Sequence, residues 1–192
     1  MNARELALFI VLLALSLAIQ IVIPRPPNVE FTSFFAFAVG LIEGAAAGAF
    51  FGSLVMFVNG FLSPVGFGGL NIPFQIAGMI IAGILGGVYR RFVRNVNHSQ
   101  TFFSETAILG AFIAMIYDLV TNLGYCLSLV FLGGESWNVA VLTAIANGAF
   151  LSLVHIVSNS IVFGILFLPL MNALSSLKVD GLPWSKKEHL YS

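Results

Sequence analysis

The stretch FTSFFAFAVGLIEGAAAGAFFGSLVMFVNG, residues 31–60, decides how many times this chain crosses a membrane. It contains one charged residue, Glu43, and it has glycine at every fourth position from Gly40 to Gly52. A helix of 30 residues would be about 45 Å long, whereas the hydrocarbon layer is roughly 30 Å thick. The stretch therefore forms either two short helices that break near Glu43 or one bent helix packed along a continuous glycine seam.

The composition of the whole chain indicates a membrane environment. Of its 192 residues, 59% are apolar and only 8% are charged, while a soluble domain has about 25% charged residues. A net charge of zero argues against nucleic acid as the main partner, and the single Cys126 excludes a disulfide framework. Outside residues 31–60, four stretches have the length and apolar character of membrane spans: Leu6–Ile23, Ile72–Phe92, Thr106–Leu132 and Val139–Leu170.

The basic residues favour six helices over five. Six crossings from a cytoplasmic N-terminus place seven of the eight basic residues in the cytoplasm and leave only Arg25 outside. Five crossings would move the cluster from Arg90 to Arg94 outside, against the positive-inside rule. We therefore expect an all-α protein of the cytoplasmic membrane with both termini cytoplasmic. Its second helix is short and follows a loop that dips inward. Residues 1–174 form one membrane domain, and residues 175–192 form a short cytoplasmic or interfacial tail.

Under this orientation, amide side chains cluster in the outer half of the membrane, which predicts a ligand pocket there. Asp118 is the one carboxylate placed well inside a span, where a charge costs about 2.5–3.5 kcal/mol, so it must be protonated, paired or near water. His155 is its expected partner. The predicted substrate-binding residues are Asn28, Asn59, Phe67, Asn71, Phe74, Gln75, Asp118, Asn122, Tyr125, Asn147, His155 and Asn159.

Each amide also has a structural alternative, because Asn and Gln in membrane helices often bond only a neighbouring helix. His155 and Asn159 share a helix face but lack a third ligand, so no metal site and no cofactor is predicted. Arg25, Glu30 and Glu135 are placed at the outer rim, which favours a largely neutral ligand.

Two loops on the outer side have the composition of a lid. The connection GFLSPVGFGGLN, residues 60–71, is longer than a helical hairpin needs and is rich in glycine, which lets backbone approach a ligand closely. The first outer loop, PRPPNVEF, residues 24–31, combines stiff prolines with Asn28 and Glu30. We expect both loops to cover the pocket.

Several segments together resemble the substrate-binding S components of energy-coupling factor (ECF) transporters, which import vitamins and related micronutrients. They are ALSLA from Ala14 to Ala18, PNVEFTS and the glycine-spaced segment from Gly40 to Phe61, GFGGLNIPFQIAGMIIAGILGG, YDLVTN and HIVSNSIVF. The last two resemble motifs of some members, including cobalamin-type ones. The resemblance covers roughly residues 5–172. It implies a vitamin-like small-molecule substrate, a membrane coupling subunit that contacts Ala14 and Ala18, and two cytoplasmic ATPase subunits.

Other functions have to be weighed against an importer subunit without chemistry of its own. A proton-coupled secondary transporter could use Asp118 and His155 as a relay, although the chain lacks a clear internal repeat. An intramembrane enzyme is disfavoured because there is no HExxH motif, no defensible Ser-His-Asp spacing and no second buried carboxylate for acid–base work. A structural scaffold would leave the polar pocket unexplained.

Overall fold

A computed structural model of the protein describes residues 3–24, 26–62, 68–92 and 100–176, and across these residues it is all-helical. This confirms the predicted all-α architecture with a short second helix. By length and composition, five helices could cross a membrane, and α2 is a shorter apolar helix. The helices are α1 (Ala3–Val22), α2 (Thr32–Glu43), α3 (Ala45–Leu62), α4 (Ile72–Tyr89), α5 (Gln100–Phe131) and α6 (Trp137–Ser176), with a single 3₁₀ turn at Gly69–Asn71 before α4.

The helix break predicted near Glu43 lies at Gly44. This residue has φ 99° and ψ 166°, a backbone conformation that side chains with a Cβ rarely adopt. Its N–H donates to the carbonyl of Gly40 at 2.9 Å and closes α2, while its own carbonyl accepts from Gly48 at 3.0 Å in the first turn of α3. Residues 31–60 therefore form two helices and not one bent helix.

The glycine spacing brings α2, α3 and α4 into backbone contact. A Cβ atom on Gly83 of α4 would collide with the carbonyl group of Gly48, and a Cβ on Gly40 would collide with the carbonyl oxygen of Gly83. Gly52 meets the backbone of Met79 in the same way. Small residues thus allow three helices to pack at distances that larger side chains forbid.

Helix α2 is the core of the bundle. All its residues from Thr32 to Ile42 are buried, and it contacts each of the other five helices. Twelve residues rise only about 18 Å, which is too short to cross a bilayer unaided. The aromatic rings of Phe34 and Phe37 pack edge-on against Phe163 of α6, which fixes α2 against that helix.

The bundle has two ends, which we name after a residue at each. The Glu43 end holds the start of α1, the break between α2 and α3, and the end of α4. There the Arg90 guanidinium donates to the carbonyl of Ile42 at 2.7 Å, and Glu5 of α1 interacts electrostatically with Glu43. The Asn71 end holds the end of α3, the start of α4 and the connection between α5 and α6.

The last two helices are longer than the sequence predicted. At 32 and 40 residues, α5 and α6 would measure about 48 and 60 Å, well beyond the thickness of the hydrocarbon layer. Helix α5 begins six residues before its predicted span, and α6 begins two residues before and ends six residues after its predicted span. Of the predicted tail, residues 175–192, the first two residues belong to the end of α6, and residues 177–192 lie outside the described residues.

Candidate functional site

A cavity of about 350 Å³ lies at the Asn71 end, between α4, α5, α6 and the segment that precedes α2. Amide, hydroxyl and carboxyl side chains make up most of its wall. The lining residues are Asn28, Glu30, Asn71, Gln75, Tyr117, Asp118, Thr121, Asn122, Tyr125, Asn147, Gly148, Leu151 and Ser152. In a chain with so few polar residues, their convergence on one space is the main feature of the structure.

The cavity brings together seven of the twelve residues predicted to bind substrate. They come from four separate segments and are Asn28, Asn71, Gln75, Asp118, Asn122, Tyr125 and Asn147. Two of the amides are held by neighbours: Asn122 Nδ2 donates to Ser152 Oγ at 3.5 Å, and Asn147 Nδ2 donates to the Tyr125 hydroxyl at 3.4 Å. Both contacts join α5 to α6 at the cavity wall.

Four of the other five predicted residues do not line the cavity. Asn59 is buried in α3, where its Nδ2 donates to the sulfur of Met56 at 3.7 Å. Phe74 is partly buried against α5 beside Gly124. His155 and Asn159 lie buried on α6 next to the cavity wall, and Phe67 lies outside the described residues.

Asp118 of α5 and His155 of α6 form a buried pair. Asp118 Oδ1 and His155 Nδ1 are 2.8 Å apart, and the two side chains are 8% and 1% exposed. The expected partnership is therefore confirmed as a direct contact. The ring of Tyr117 packs edge-on to the imidazole, with centroids 5.3 Å apart. Since Asp118 also lines the cavity, the pair joins the polar wall to the interior of the bundle.

A second buried contact continues from this pair to α2. The hydroxyl of Ser33 donates to Asn159 Oδ1 at 2.6 Å, and Asn159 Nδ2 donates to the carbonyl of His155 at 3.3 Å. Both side chains are fully buried. Asn159 thus links α6 to α2 and does not line the cavity. This is the structural role that we gave above as the alternative for each amide.

The segment before α2 enters the bundle, as the short second helix led us to expect. The hydroxyl of Ser158, one turn beyond His155, donates to the carbonyl of Asn28 at 3.4 Å. Glu30 consequently lies in the cavity wall and not at an outer rim, and its carboxylate accepts a hydrogen bond from buried Thr32 at 3.0 Å.

Sequence reasoning missed Glu30, Tyr117, Thr121 and Ser152 as lining residues. The α5 set was detectable, because residues 117, 118, 121, 122 and 125 have the spacing of one helix face. Ser152 follows Gly148 by four positions on the corresponding face of α6. Glu30 carried no such signal, since it lies in a loop whose path depends on the packing of α2.

Two glycines leave room for the amides of the wall. A Cβ on Gly148 would lie 2.6 Å from Asn122 Oδ1, and a Cβ on Gly124 would collide with Asn71 and Phe74. Within the described ranges, no three His, Cys, Asp or Glu side chains are grouped to hold a metal ion. The amide, hydroxyl and carboxyl groups of the wall supply both donors and acceptors of hydrogen bonds.

In comparisons with protein families, curated proteins and solved structures, none matches this chain.

Proposed function

We propose that this protein is the substrate-binding S component of an ECF-type importer and that it binds a vitamin-like small molecule in the cavity at the Asn71 end. The cavity is the observation that carries the proposal. Small-molecule sites have volumes of roughly 300–1,000 Å³ and a few convergent polar groups. This one has about 350 Å³, and eleven of its thirteen lining residues have polar side chains. Polar side chains are costly inside a membrane, which favours a functional reason for so many in one place.

The arginines support an orientation in which the cavity faces the outside. Arg4, Arg90 and Arg91 all lie at the Glu43 end, and the positive-inside rule assigns such an end to the cytoplasm. In this orientation, Asn28 and Glu30 of the first connection and Asn71 of the second line the cavity near its outer side.

The docking face for a coupling subunit is proposed on α1. This helix packs onto the bundle through Phe9, Leu12 and Ser16, while Ala14 and Ala18 are exposed. A stripe of small residues lets a second helix approach closely. In this proposal, two cytoplasmic ATPases act through that subunit and topple the S component to release its cargo.

The cavity favours a compact ligand. Its volume is near the lower limit for small-molecule sites, so a cargo as large as a corrinoid would need the helices to separate. Tyr117 and Tyr125 offer aromatic surface, and the amides offer both donors and acceptors. Among micronutrients, these features fit a single-ring or two-ring heterocycle best.

The Asp118–His155 pair favours one alternative, a proton-coupled secondary transporter. A buried carboxylate and imidazole 2.8 Å apart can exchange a proton, and such pairs mark proton relays in membrane transporters. The alternative uses the same cavity but needs no partner subunits.

The energy source for uptake separates the two proposals. Cells that express the chain with its partners would be given the molecule that co-purifies with it. ATP depletion with the proton gradient preserved should abolish uptake by an ECF importer, because the two proposed ATPase subunits supply its energy. Uptake that survives ATP depletion and stops when the proton gradient is collapsed would contradict the S-component proposal and support the symporter.

A further inference from the structure

The cavity wall contains two carboxylates from separate elements, Glu30 before α2 and Asp118 in α5. No Lys or Arg is among the described residues that line it. Glu30 also interacts electrostatically with Tyr117 and His155. The described wall is therefore acidic, in contrast to the neutral surroundings expected when Glu30 was placed at the rim.

His155 cannot neutralise both carboxylates. Even a protonated imidazole carries one positive charge, and it bonds Asp118 Oδ1. The N-terminus of α2 and the hydroxyl of Thr32 lie next to Glu30, but neither carries a full positive charge. When both carboxylates are ionised, the cavity retains at least one negative charge in a medium where unpaired charge is costly.

The unsatisfied atoms of the wall are acceptors. Within the described part of the chain, Asp118 Oδ2 and Asn71 Oδ1 are buried without a hydrogen-bond partner. The Asp118 side chain is only 8% exposed, so bulk water cannot readily satisfy it. Buried acceptors of this kind call for a donor, and charged donors bond carboxylates most strongly.

We propose that the ligand carries a protonated nitrogen, as an amine or amidine, which binds between the carboxylates of Glu30 and Asp118. Ammonium and amidinium groups only donate hydrogen bonds. One such group would donate to Asp118 Oδ2 and would also balance the negative charge of the wall. The inference rests on the proposed binding function of the cavity and specifies the chemical class of its ligand.

A matched pair of probes tests this inference. Benzamidinium and benzamide have nearly the same shape and differ in charge. Calorimetric titration of the purified protein in detergent should show benzamidinium binding at least about tenfold more tightly than benzamide, and Glu30→Gln should remove that preference. Glu135→Gln is the matched control, because this exposed carboxylate lies in the α5–α6 connection. Asp118→Asn tests the second carboxylate. If the Asp118→Asn variant fails to fold, Glu30→Gln alone still decides the test.

Three results would overturn the inference: benzamide binding as tightly as benzamidinium, benzamidinium affinity unchanged in Glu30→Gln, or no benzamidinium binding to the wild type. None of these results would contradict the proposal that the cavity binds a ligand. The proposed function fails by a different readout, namely retention of the co-purifying small molecule when Asn71 and Gln75 are truncated.

Discussion

Asn159 shows how a polar residue near the middle of a membrane bundle can serve the fold. Its Oδ1 accepts a hydrogen bond from Ser33 and so joins α2 to α6, while its Nδ2 donates to the carbonyl of His155 within α6, and the side chain is fully buried. Asp118 has a different environment, because one oxygen bonds His155 and the residue also lines the cavity. Two polar residues at similar depth thus have separate roles.

Truncating Asn159 should therefore lower stability and leave ligand binding largely intact. Asn159→Ala leaves the Ser33 hydroxyl without its buried acceptor, which should cost about 1–3 kcal/mol. The thermal unfolding midpoint in detergent should fall for Asn159→Ala and stay unchanged for Asn138→Ala, an exposed asparagine on the same helix. An Asn159→Ala variant with wild-type stability and lost binding would instead place this residue in the ligand site.

For single residues, the sequence indicates which polar side chains lie inside the membrane better than it indicates where each side chain points. Asp118 and His155 could be paired because they are the charged and titratable side chains placed deepest in the last two helices. Asn59 was predicted to bind substrate because the sequence places it near the outer end of its helix, but its side chain contacts Met56 inside α3 and does not line the cavity. A one-residue change in helix phase moves a side chain by about 100°, and only packing fixes that phase.

Among the elements, α2 and its glycine contacts position the site. The segment before α2 enters the bundle because α2 is short and central, and this brings Asn28 and Glu30 to the cavity wall. The close approach of α3 and α4 to α2 depends on Gly40, Gly48 and Gly83. Residues far from the cavity thus determine whether its wall can form.

A single methyl group in this seam should destabilise the bundle. In Gly83→Ala, the new Cβ would collide with the backbone of Gly48, and overpacking of this kind costs typically about 1–3 kcal/mol. Val88→Ile adds one carbon to the exposed face of the same helix and serves as the control. Thermal unfolding should distinguish them, with only Gly83→Ala showing a lower midpoint. Equal midpoints would mean that the helices separate at this contact without cost.

The extent of the elements was predictable only in part. The break near Glu43 could be predicted for two reasons. A helix of 30 residues is too long for the membrane thickness, and only a break keeps the arginine cluster on the cytoplasmic side. The full lengths of α5 and α6 could not be predicted in the same way. An apolar run in the sequence marks the part of a helix that lies in lipid, but it does not mark the residues at which the helix begins and ends.

For the whole molecule, the cavity lies between two groups of helices. Helices α2, α3 and α4 form the glycine-packed group, and α5 and α6 pack along each other as an antiparallel pair. Helix α1 is the least buried of the five long helices and lies on the glycine-packed group. This arrangement leaves one face of α1 available for a partner without disturbing the cavity.

Enlarging the small residues of α1 should therefore separate transport from binding. Ala14→Leu adds bulk to an exposed face and should lower uptake while the dissociation constant for the ligand stays unchanged. A leucine substitution at exposed Ala149, on α6, is the control for added lipid-facing bulk. Normal uptake by Ala14→Leu would place the docking face on another helix.

The central claim is that the cavity at the Asn71 end holds the ligand. Mass spectrometry of small molecules released from the purified protein tests it most directly. Wild type and Asn138→Ala should release the same compound, while a variant with both Asn71→Ala and Gln75→Ala should release little of it at equal yield of folded protein. Retention of the compound by that double variant would contradict the claim, as would a wild-type protein that releases no small molecule at all.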